Sequence, residues 1–174
     1  MLSGNIPSSW KSQIVIPILK PNKDSSDSNS YRPIALSSVL LKTAESLVKN
    51  RLEWFLENNR LLSDSQFGFR RGKSALDSLS IFTTDIRLAF SGNKSVVAAF
   101  LDITSAYDNV VIPILKNKLD RLDVPPILTN FIINVLSERS IHMDSGESRL
   151  VWKGLPQGSA LYYITFTHMI WKYF

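Results

Sequence analysis

The stretch SVVAAFLDITSAYDNV, residues 95–110, is the part of the chain around which the fold is predicted. Residues 96–101 are all apolar and uncharged, which is typical of a strand buried on both faces of a sheet. The first charge after this run is Asp102. A carboxylate at the end of a buried strand has to be compensated by a cation, a metal or hydrogen-bond donors. Asp102 is therefore the first candidate site residue, whereas Asp108 is most simply predicted to cap the helix that follows.

Composition limits the kinds of protein this chain can be. Its 174 residues, 44% of them hydrophobic, are enough for one domain with a real core. Twenty Lys and Arg against 15 Asp and Glu give a net charge of +5, which favours an anionic partner. The absence of cysteine excludes disulfides and thiolate zinc sites. No stretch is long and apolar enough to span a membrane, so we expect a soluble intracellular protein of the cytoplasm or nucleus.

Two apolar segments upstream, residues 13–19 and 31–36, are predicted to pair as a β-hairpin around a polar Ser and Asp loop. Pro17 interrupts the first segment and indicates an edge position or a bulge. Lys20 and Arg32 would then lie near each other. Two cations on a hairpin can clamp a triphosphate or a nucleic-acid backbone, but they can equally be a solvated basic edge that discourages aggregation.

The remaining elements are predicted from periodicity and turn residues. From Ser37 the apolar residues recur at helical spacing until Asn58-Asn59 ends the helix, and Ser74 is predicted to cap a helix over residues 75–90. Two further helices follow, one interrupted by Pro113 and one over residues 127–136, and then a hairpin of residues 141–143 and 150–152. The residues expected to face inward in the first two helices are Val39, Leu40, Ala44, Leu47, Val48, Leu52, Phe55, Leu56, Leu79, Phe82, Ile86 and Phe90.

Two glycine-containing segments are candidate functional loops. The first, QFGFRRGKS at residues 66–74, combines aromatic and basic residues. It suits a template strand, with the aromatic rings on bases or sugars and the cations on phosphates, or a plain helix-to-helix turn with buried phenylalanines. The second, KGLPQGS at residues 153–159, has a Gly-x-Pro-x-Gly spacing that imposes a tight backbone course, leaves Gln157 exposed and opens a helix near Ser159. The candidate nucleic-acid-binding residues of the first loop are Phe67, Phe69, Arg70, Arg71 and Lys73.

Several blocks in this order resemble the reverse transcriptases of non-LTR retrotransposons of the LINE or jockey type. These blocks are YRPI at residues 31–34, Lys42-x-x-Glu45 with Arg51-Leu52, QFGFR at residues 66–70, FLD at residues 100–102 with AYD at residues 106–108, and GLPQGS at residues 154–159. The resemblance implies an α+β fold: the fingers (residues 1–94) and part of the palm (residues 95–174) of a right-hand polymerase, without its thumb and last palm strands. It also implies an RNA-directed DNA polymerase with an RNA template, a DNA primer, a deoxynucleoside triphosphate and two Mg²⁺ ions.

The resemblance also assigns roles to individual residues. Asp102 resembles the first catalytic, metal-binding aspartate, and the backbone carbonyl of Ile103 a second oxygen ligand for Mg²⁺. Tyr107 resembles the aromatic residue that packs under the sugar and excludes a 2′-hydroxyl. The remaining nucleotide-binding residues implied in this way are Gln157 and Gly158 at the incoming nucleotide and Lys20 and Arg32 at its phosphates.

The sequence departs from the family pattern near its C-terminal end. The family has a second acidic block, an aromatic, any residue and two aspartates, after the GLPQGS segment, whereas residues 162–174 contain no Asp or Glu. Because two-metal phosphoryl transfer needs carboxylates on both ions, we expect the polypeptide alone to be inactive. The alternative function is a non-catalytic remnant that still binds nucleic acid.

Overall fold

The computed structural model describes residues 6–143 and 146–162. The chain is α+β, as the resemblance implied. The described elements are the strands β1 (Ser12–Leu19), β2 (Tyr31–Leu36), β3 (Arg139–Met143) and β4 (Ser148–Val151), and the helices α1 (Val39–Asn58), α2 (Ala75–Ser91), α3 (Ile112–Arg121) and α4 (Pro126–Leu136). Within these described ranges no helix is both long and apolar enough to cross a bilayer. The predicted helix opening at Ser159 and the apolar tail lie almost entirely outside the described residues.

The chain divides into two compact units. One comprises Met1–Leu61 and Ser105–Phe174 and contains the sheet with α1, α3 and α4, and the other comprises Leu62–Thr104 and contains α2. The first is called the sheet unit below, and the second the α2 unit. The predicted division into fingers and palm at residues 94 and 95 stays a prediction.

The sheet has the order β2-β1-β3-β4. Both predicted hairpins are confirmed, since β1 pairs antiparallel with β2 and β3 pairs antiparallel with β4. The parallel pairing of β1 with β3, from Ser12 opposite Ser140 to Val15 opposite Met143, had no signal in the sequence. β1 is an inner strand, between β2 and β3, so Pro17 is not on an edge strand; it lies beyond the register with β3 and opposite Pro33, where β1 has a neighbour on one side only. Two prolines can face each other there because neither position has to donate to its partner.

Helix α1 has the predicted ends but a different buried face. The Ser38 hydroxyl accepts a hydrogen bond from the Leu41 backbone N–H, and the helix ends at Asn58. Its buried residues are Leu41, Ala44, Glu45, Leu52 and Leu56. The inward positions predicted for Val39, Leu40 and Leu47 are wrong, since all three are exposed. The buried stripe instead includes Leu41 and the carboxylate of Glu45, neither of which the apolar spacing predicted to face inward.

The predicted cap of the third helix is wrong, and the fourth helix is confirmed. Helix α3 begins at Ile112 with Val111 as its N-cap, so Asp108 lies outside it. Pro113 determines this start because proline lacks an N–H and is tolerated in the first helical turn, where that donor has no partner. Helix α3 packs against α4. The fully buried large side chains that these two helices contribute are Leu115, Leu119, Ile132, Val135 and Leu136.

The stretch predicted as a buried strand is neither a strand nor buried. Residues 94–103 have no regular secondary structure, and the exposed fractions are 97% for Val97 and 79% for Leu101. A strand persists only where a neighbour accepts and donates its backbone hydrogen bonds. The described strands pair only with one another, so the apolar run lacks that neighbour. Its Phe100 ring instead meets Phe82 edge-on, with ring centroids 5.7 Å apart.

Helix α2 forms where predicted but has no buried face. Ser74 and Asp77 form a capping box, in which the Ser74 hydroxyl accepts from the Asp77 N–H and the Asp77 carboxylate accepts from the Ser74 N–H. The turn at Gly92 and Asn93 is also confirmed. No residue of the helix is buried: the inward positions predicted for Leu79, Phe82 and Phe90 are wrong because these side chains are exposed, while Ile86 is half-buried. The ends of this 17-residue helix are therefore stabilised by local hydrogen bonds, and most of its apolar side chains are exposed.

Candidate active site

The segment from Lys153 to Ala160, which we call the GLPQGS segment, runs close to two other pieces of backbone. A Cβ on Gly154 would lie 2.9 Å from the Asp108 carbonyl oxygen, and one on Gly158 would lie 2.7 Å from the Ala35 carbonyl oxygen. Both glycines also have positive φ, +77° and +116°. Only glycine satisfies both conditions, so the predicted tight backbone course is confirmed.

Hydrogen bonds attach this segment to its neighbours at three points. The Ala35 N–H donates to the Gln157 carbonyl at 2.8 Å, and the Leu155 N–H donates to the Tyr107 carbonyl at 3.0 Å. The Gly154 N–H donates to the Val110 carbonyl at 2.7 Å. Strand β2 thus holds the Gln157 end of the segment, and the turn before α3, which contains Tyr107, holds the Leu155 end, all within the sheet unit. Gln157 is half-buried rather than exposed as predicted, because its backbone is bonded to β2.

Two buried charges bind the ends of the segment. Arg139, 3% exposed, donates from Nη2 to the Lys153 carbonyl at 2.9 Å and to the Gly154 carbonyl at 2.6 Å. Its Nε donates to the Leu136 carbonyl at 3.0 Å. At the other end Glu45, fully buried, accepts from the Ala160 N–H at 3.0 Å. These two side chains supply backbone partners that an irregular segment cannot supply for itself.

Burial shifts the protonation equilibria of both groups. Loss of hydration raises the pKa of Glu45, against the hydrogen bonds from Ala160 and Ser159 and the attraction of Lys42 and Arg139, which lower it. Burial also lowers the pKa of Arg139 to about 10, while the Glu45 charge opposes that change. Arg139 therefore remains protonated at neutral pH, and its positive charge is attracted to the Glu45 carboxylate.

A cleft of about 510 Å³ lies beside the GLPQGS segment. Its walls are largely apolar and come from the sheet and residues 152–157. The charged groups in its lining are Asp108, Arg139, Arg149 and Lys153, so cations outnumber the one carboxylate. Binding sites for small molecules typically measure roughly 300–1,000 Å³. The cleft is therefore of a size and charge suited to an anionic ligand, and Gln157 is part of its wall.

Two of the other predicted nucleotide-binding residues of the sheet unit, Lys20 and Tyr107, have side-chain partners within the protein. The Lys20 Nζ donates to the Asn29 carbonyl at 2.7 Å and so braces the loop between β1 and β2. Arg32 is exposed on β2, opposite Ile18. The Tyr107 ring stacks on Tyr162, with centroids 3.9 Å apart and an angle of 11° between the planes. One face of the predicted sugar gate is therefore covered by a second tyrosine.

Asp102 and Ile103 belong to the α2 unit. Both are exposed and lie in the stretch without regular structure. Among residues 6–143 and 146–162, no three His, Cys, Asp or Glu side chains come close enough to form a metal site. The donors offered here are one carboxylate and one carbonyl. Both are hard oxygen ligands, the kind that Mg²⁺ prefers, but they fill only part of its coordination shell.

Several side chains of the predicted nucleic-acid-binding loop in the α2 unit make contacts within that loop and with the residues just before it. The Arg70 guanidinium donates to the Ser63 carbonyl at 2.7 Å, and the Lys73 ammonium binds the Asp64 carbonyl and lies 5.0 Å from the centre of the Phe67 ring. Arg71 and Phe69 are exposed, Phe69 by 53%. The alternative of a turn with buried phenylalanines is wrong for Phe69.

The chain matches the family model of the reverse transcriptases (RNA-dependent DNA polymerases) over residues 18–173. That match covers most of its 174 residues. This chain belongs to the reverse transcriptase family. The family identified from the sequence blocks is confirmed, and reverse transcriptases use divalent metal ions.

The curated relatives of this reverse transcriptase come from mobile elements. It is 36% identical over 162 residues to the RNA-directed DNA polymerase from mobile element jockey of Drosophila melanogaster, covering 91% of this chain and 18% of that protein. It is 34% identical over 164 residues to the probable RNA-directed DNA polymerase from transposon BS of the same species, covering 89% of this chain and 17% of that protein. The Pol polyprotein of the type-1 retrotransposable element R2 of Popillia japonica is 25% identical over 166 residues, which cover 92% of this chain and 23% of that protein. The chain spans about one sixth of the length of the first two relatives.

Two residues of this reverse transcriptase segment were missed as site residues by the sequence reasoning. Glu45 carried a usable signal, because it is four positions after Leu41 and seven before Leu52, on the stripe that is buried. Arg139 carried no such signal of burial, since it follows Ser137 and Glu138 at a position that the sequence predicts to be a solvated helix end. Its burial depends on the return of residues 153 and 154 to β3, a contact that no local pattern encodes.

Proposed function

We propose that this chain forms the fingers and part of the palm of a retrotransposon RNA-directed DNA polymerase, which adds deoxynucleotides to a DNA primer on an RNA template. The observation that carries the proposal is the attachment of the GLPQGS segment to β2 and to Tyr107. The attachment joins the backbone of Gln157 to β2 and that of Leu155 to Tyr107, and Gln157 lines a cleft in which cations outnumber carboxylates. A nucleoside triphosphate has an apolar base and sugar face and a strongly anionic end, and both match such a cleft.

The nucleotide contacts follow from this arrangement. Gln157 and Gly158 bind the incoming deoxynucleotide, and the Tyr107 ring packs on its sugar and excludes a 2′-hydroxyl. Arg32 binds the phosphates, because its guanidinium is exposed and suits bidentate phosphate contacts. Lys20 has the weaker claim to a phosphate, since its ammonium is bonded to the Asn29 carbonyl.

The catalytic group is Asp102. Its carboxylate and the Ile103 carbonyl would hold a divalent ion, Mg²⁺, as part of a larger ligand set. When bound, such an ion neutralises triphosphate charge and activates the primer 3′-hydroxyl. The exposed position of Asp102 leaves its oxygens accessible to ligands.

The template contacts are assigned to the loop of residues 66–73. Phe69 is placed to stack on a base or sugar, and Arg71 to bind phosphate, because both are exposed. Phe67, Arg70 and Lys73 hold the loop in shape through their own contacts and add positive charge next to the strand.

Binding of a deoxynucleoside triphosphate to the purified 174-residue chain tests the nucleotide site. We expect saturable binding by calorimetry, weakened about tenfold by Gln157→Ala. The matched control is Asn117→Ala, an exposed amide on α3 that does not line the cleft. Absence of binding by the unmodified chain, or equal affinities for the Gln157 and Asn117 variants, would overturn the proposal for this cleft.

A non-catalytic nucleic-acid-binding module is the second candidate function. The exposed Phe69 and Arg71 and the net charge of +5 favour it. Its signature is RNA affinity that falls steeply with salt, that drops in Arg71→Ala, and that is unchanged in Asp102→Ala. RNA affinity without any triphosphate binding would favour this function over the polymerase.

A further inference from the structure

Two opposite charges in the interior of the sheet unit contact the two ends of one irregular segment. The Arg139 guanidinium binds the carbonyls of Lys153 and Gly154, and the Glu45 carboxylate binds the N–H of Ala160. Between these ends lie Gln157 and Gly158. Arg139 lines the cleft but is only 3% exposed, Gln157 lines it and is half-buried, and Glu45 is not part of the lining.

Burying this pair costs free energy that an apolar pair would not cost. Glu45 remains incompletely satisfied, since its Oε1 has no hydrogen-bond donor within the part of the chain that the structure describes. Apolar side chains of similar volume often replace a buried ion pair without loss of stability. What they cannot replace is the set of directional bonds to backbone carbonyls and N–H groups of a segment that is neither helix nor strand.

We propose that Glu45 and Arg139 are positioning residues that fix the backbone of the GLPQGS segment from its two ends and thereby set the position of Gln157 and Gly158 for the nucleotide. The consequence for the nucleotide rests on the proposed function. The consequence for the backbone does not, because it follows from the hydrogen bonds alone. Glu45 lies outside the cleft lining and acts through the segment, and the role assigned to Arg139 is carried by its bonds to the Lys153 and Gly154 carbonyls.

The central bonds of the segment are suitable reporters because neither involves Glu45 or Arg139. The Ala35 N–H bonds to the Gln157 carbonyl, and the Leu155 N–H bonds to the Tyr107 carbonyl. If the two charged residues position the segment, loss of both should loosen these central bonds. If they only stabilise the fold, the amides of Ile132 and Val135 in α4 should loosen by the same factor.

Amide hydrogen exchange in the full 174-residue chain compares the unmodified protein with the double variant Glu45→Leu, Arg139→Met. The matched control is Lys49→Met, Glu53→Leu, which removes a half-exposed ion pair, with 3.4 Å between its charged atoms, from the helix that contains Glu45. We expect exchange at Ala35 and Leu155 to accelerate at least about tenfold in the double variant, with far smaller changes at Ile132 and Val135. Equal acceleration at all four amides, or none at Ala35 and Leu155, would overturn the proposal.

If the double variant does not fold, two single variants of Glu45 test whether this residue positions the segment. Glu45→Gln keeps an oxygen that can accept from the Ala160 N–H, whereas Glu45→Leu does not. We expect exchange at Leu155 in Glu45→Gln to stay close to that of the unmodified chain and to rise in Glu45→Leu. Identical exchange in the two variants contradicts a positioning role for Glu45.

Triphosphate affinity of the same variants connects the positioning to the nucleotide. We expect the double variant to bind about tenfold more weakly than the ion-pair control. If the unmodified chain binds no triphosphate, the proposed function fails, while the exchange data still decide whether the two residues position the segment. If exchange accelerates as expected but affinity does not change, the link to the nucleotide is wrong and the backbone role stands.

Discussion

Gly158 is the residue whose identity is most tightly constrained by its surroundings. Its φ of +116° is strained for any residue with a Cβ, and that Cβ would lie 2.7 Å from a backbone oxygen of β2. A carbonyl within a sheet cannot move aside as the end of a flexible side chain can. The sequence motif indicated a tight turn here, and the structure shows in addition that the Gly158 backbone lies in close contact with β2.

Gly158→Ala should lower the free energy of unfolding by about 2–4 kcal/mol, because backbone strain and the contact with the Ala35 carbonyl add to each other. Urea unfolding measures this change. Gly68→Ala is the control: nothing lies within 4 Å of its Cβ position, and we expect a change of no more than about 0.5 kcal/mol. Equal losses in the two variants would show that the close approach to β2 does not matter.

Glu45 makes the stability of the protein depend on pH in a direction opposite to that of most carboxylates. Burial raises its pKa above the ordinary value of 4.5, so the folded state holds the proton more tightly than the unfolded state. The stabilisation from this group is complete below pH 4.5 and is lost as the pH rises through the raised pKa.

Glu45→Gln removes this titration and should therefore gain stability relative to the unmodified chain as the pH rises from 4 to 7. Urea unfolding at pH 4 and at pH 7 gives the free energy of unfolding of the variant and of the unmodified chain. The quantity of interest is how the difference between the two proteins changes from one pH to the other. Glu53→Gln, on the exposed side of the same helix, reports what a half-exposed carboxylate contributes. If this difference in stability is the same at both pH values, or if the Gln variant becomes relatively less stable at pH 7, the raised pKa of Glu45 is contradicted.

Helix α2 is the element whose stability depends most on local bonds. It has no buried residue, so its capping box is the main constraint on its N-terminus. The bonds from Ser74 also lower the pKa of Asp77, so this constraint is present at neutral pH and is lost as the pH falls below 3.8 through the lowered pKa.

Ser74→Ala should cost this helix about 1 kcal/mol of local stability, which corresponds to roughly fivefold faster amide exchange in its first turns. Exchange measured by NMR checks this result. Ser80→Ala is the matched control, because Ser80 lies inside the same helix and caps nothing. If the two variants exchange alike, the capping box does not hold the helix end.

Over the whole molecule, the GLPQGS segment and the candidate metal ligands belong to different compact units. The sheet unit has a dense core and a fixed cleft, while the α2 unit contains Asp102 and no apolar side chain buried as deeply. The polypeptide carries no acidic residue after Glu147. A pair of metal ions would therefore have Asp102 but no second acidic block.

We accordingly expect no template-directed nucleotide incorporation by the purified 174-residue polypeptide with Mg²⁺, an RNA template and a DNA primer, because one carboxylate cannot hold two ions. Extension of a labelled primer on a gel measures this activity. Asp102→Ala is the control for contaminating polymerases. Incorporation that Asp102→Ala abolishes would contradict the expectation.

The sequence by itself determined the family, the two hairpins, the ends of α1, α2 and α4, and the glycine turn at residues 154–158. These features depend on local rules, such as alternation in strands, capping by Ser74, and the φ range open to glycine. Residues 95–101 show where such rules stop, because an apolar run becomes a strand only when another strand pairs with it. The burial of Glu45 and Arg139, the parallel pairing of β1 with β3 and the contact of Gly158 with Ala35 were decided only by the tertiary structure. Each of them joins residues far apart in the chain, and the free energy of such a contact exists only once both partners are in place.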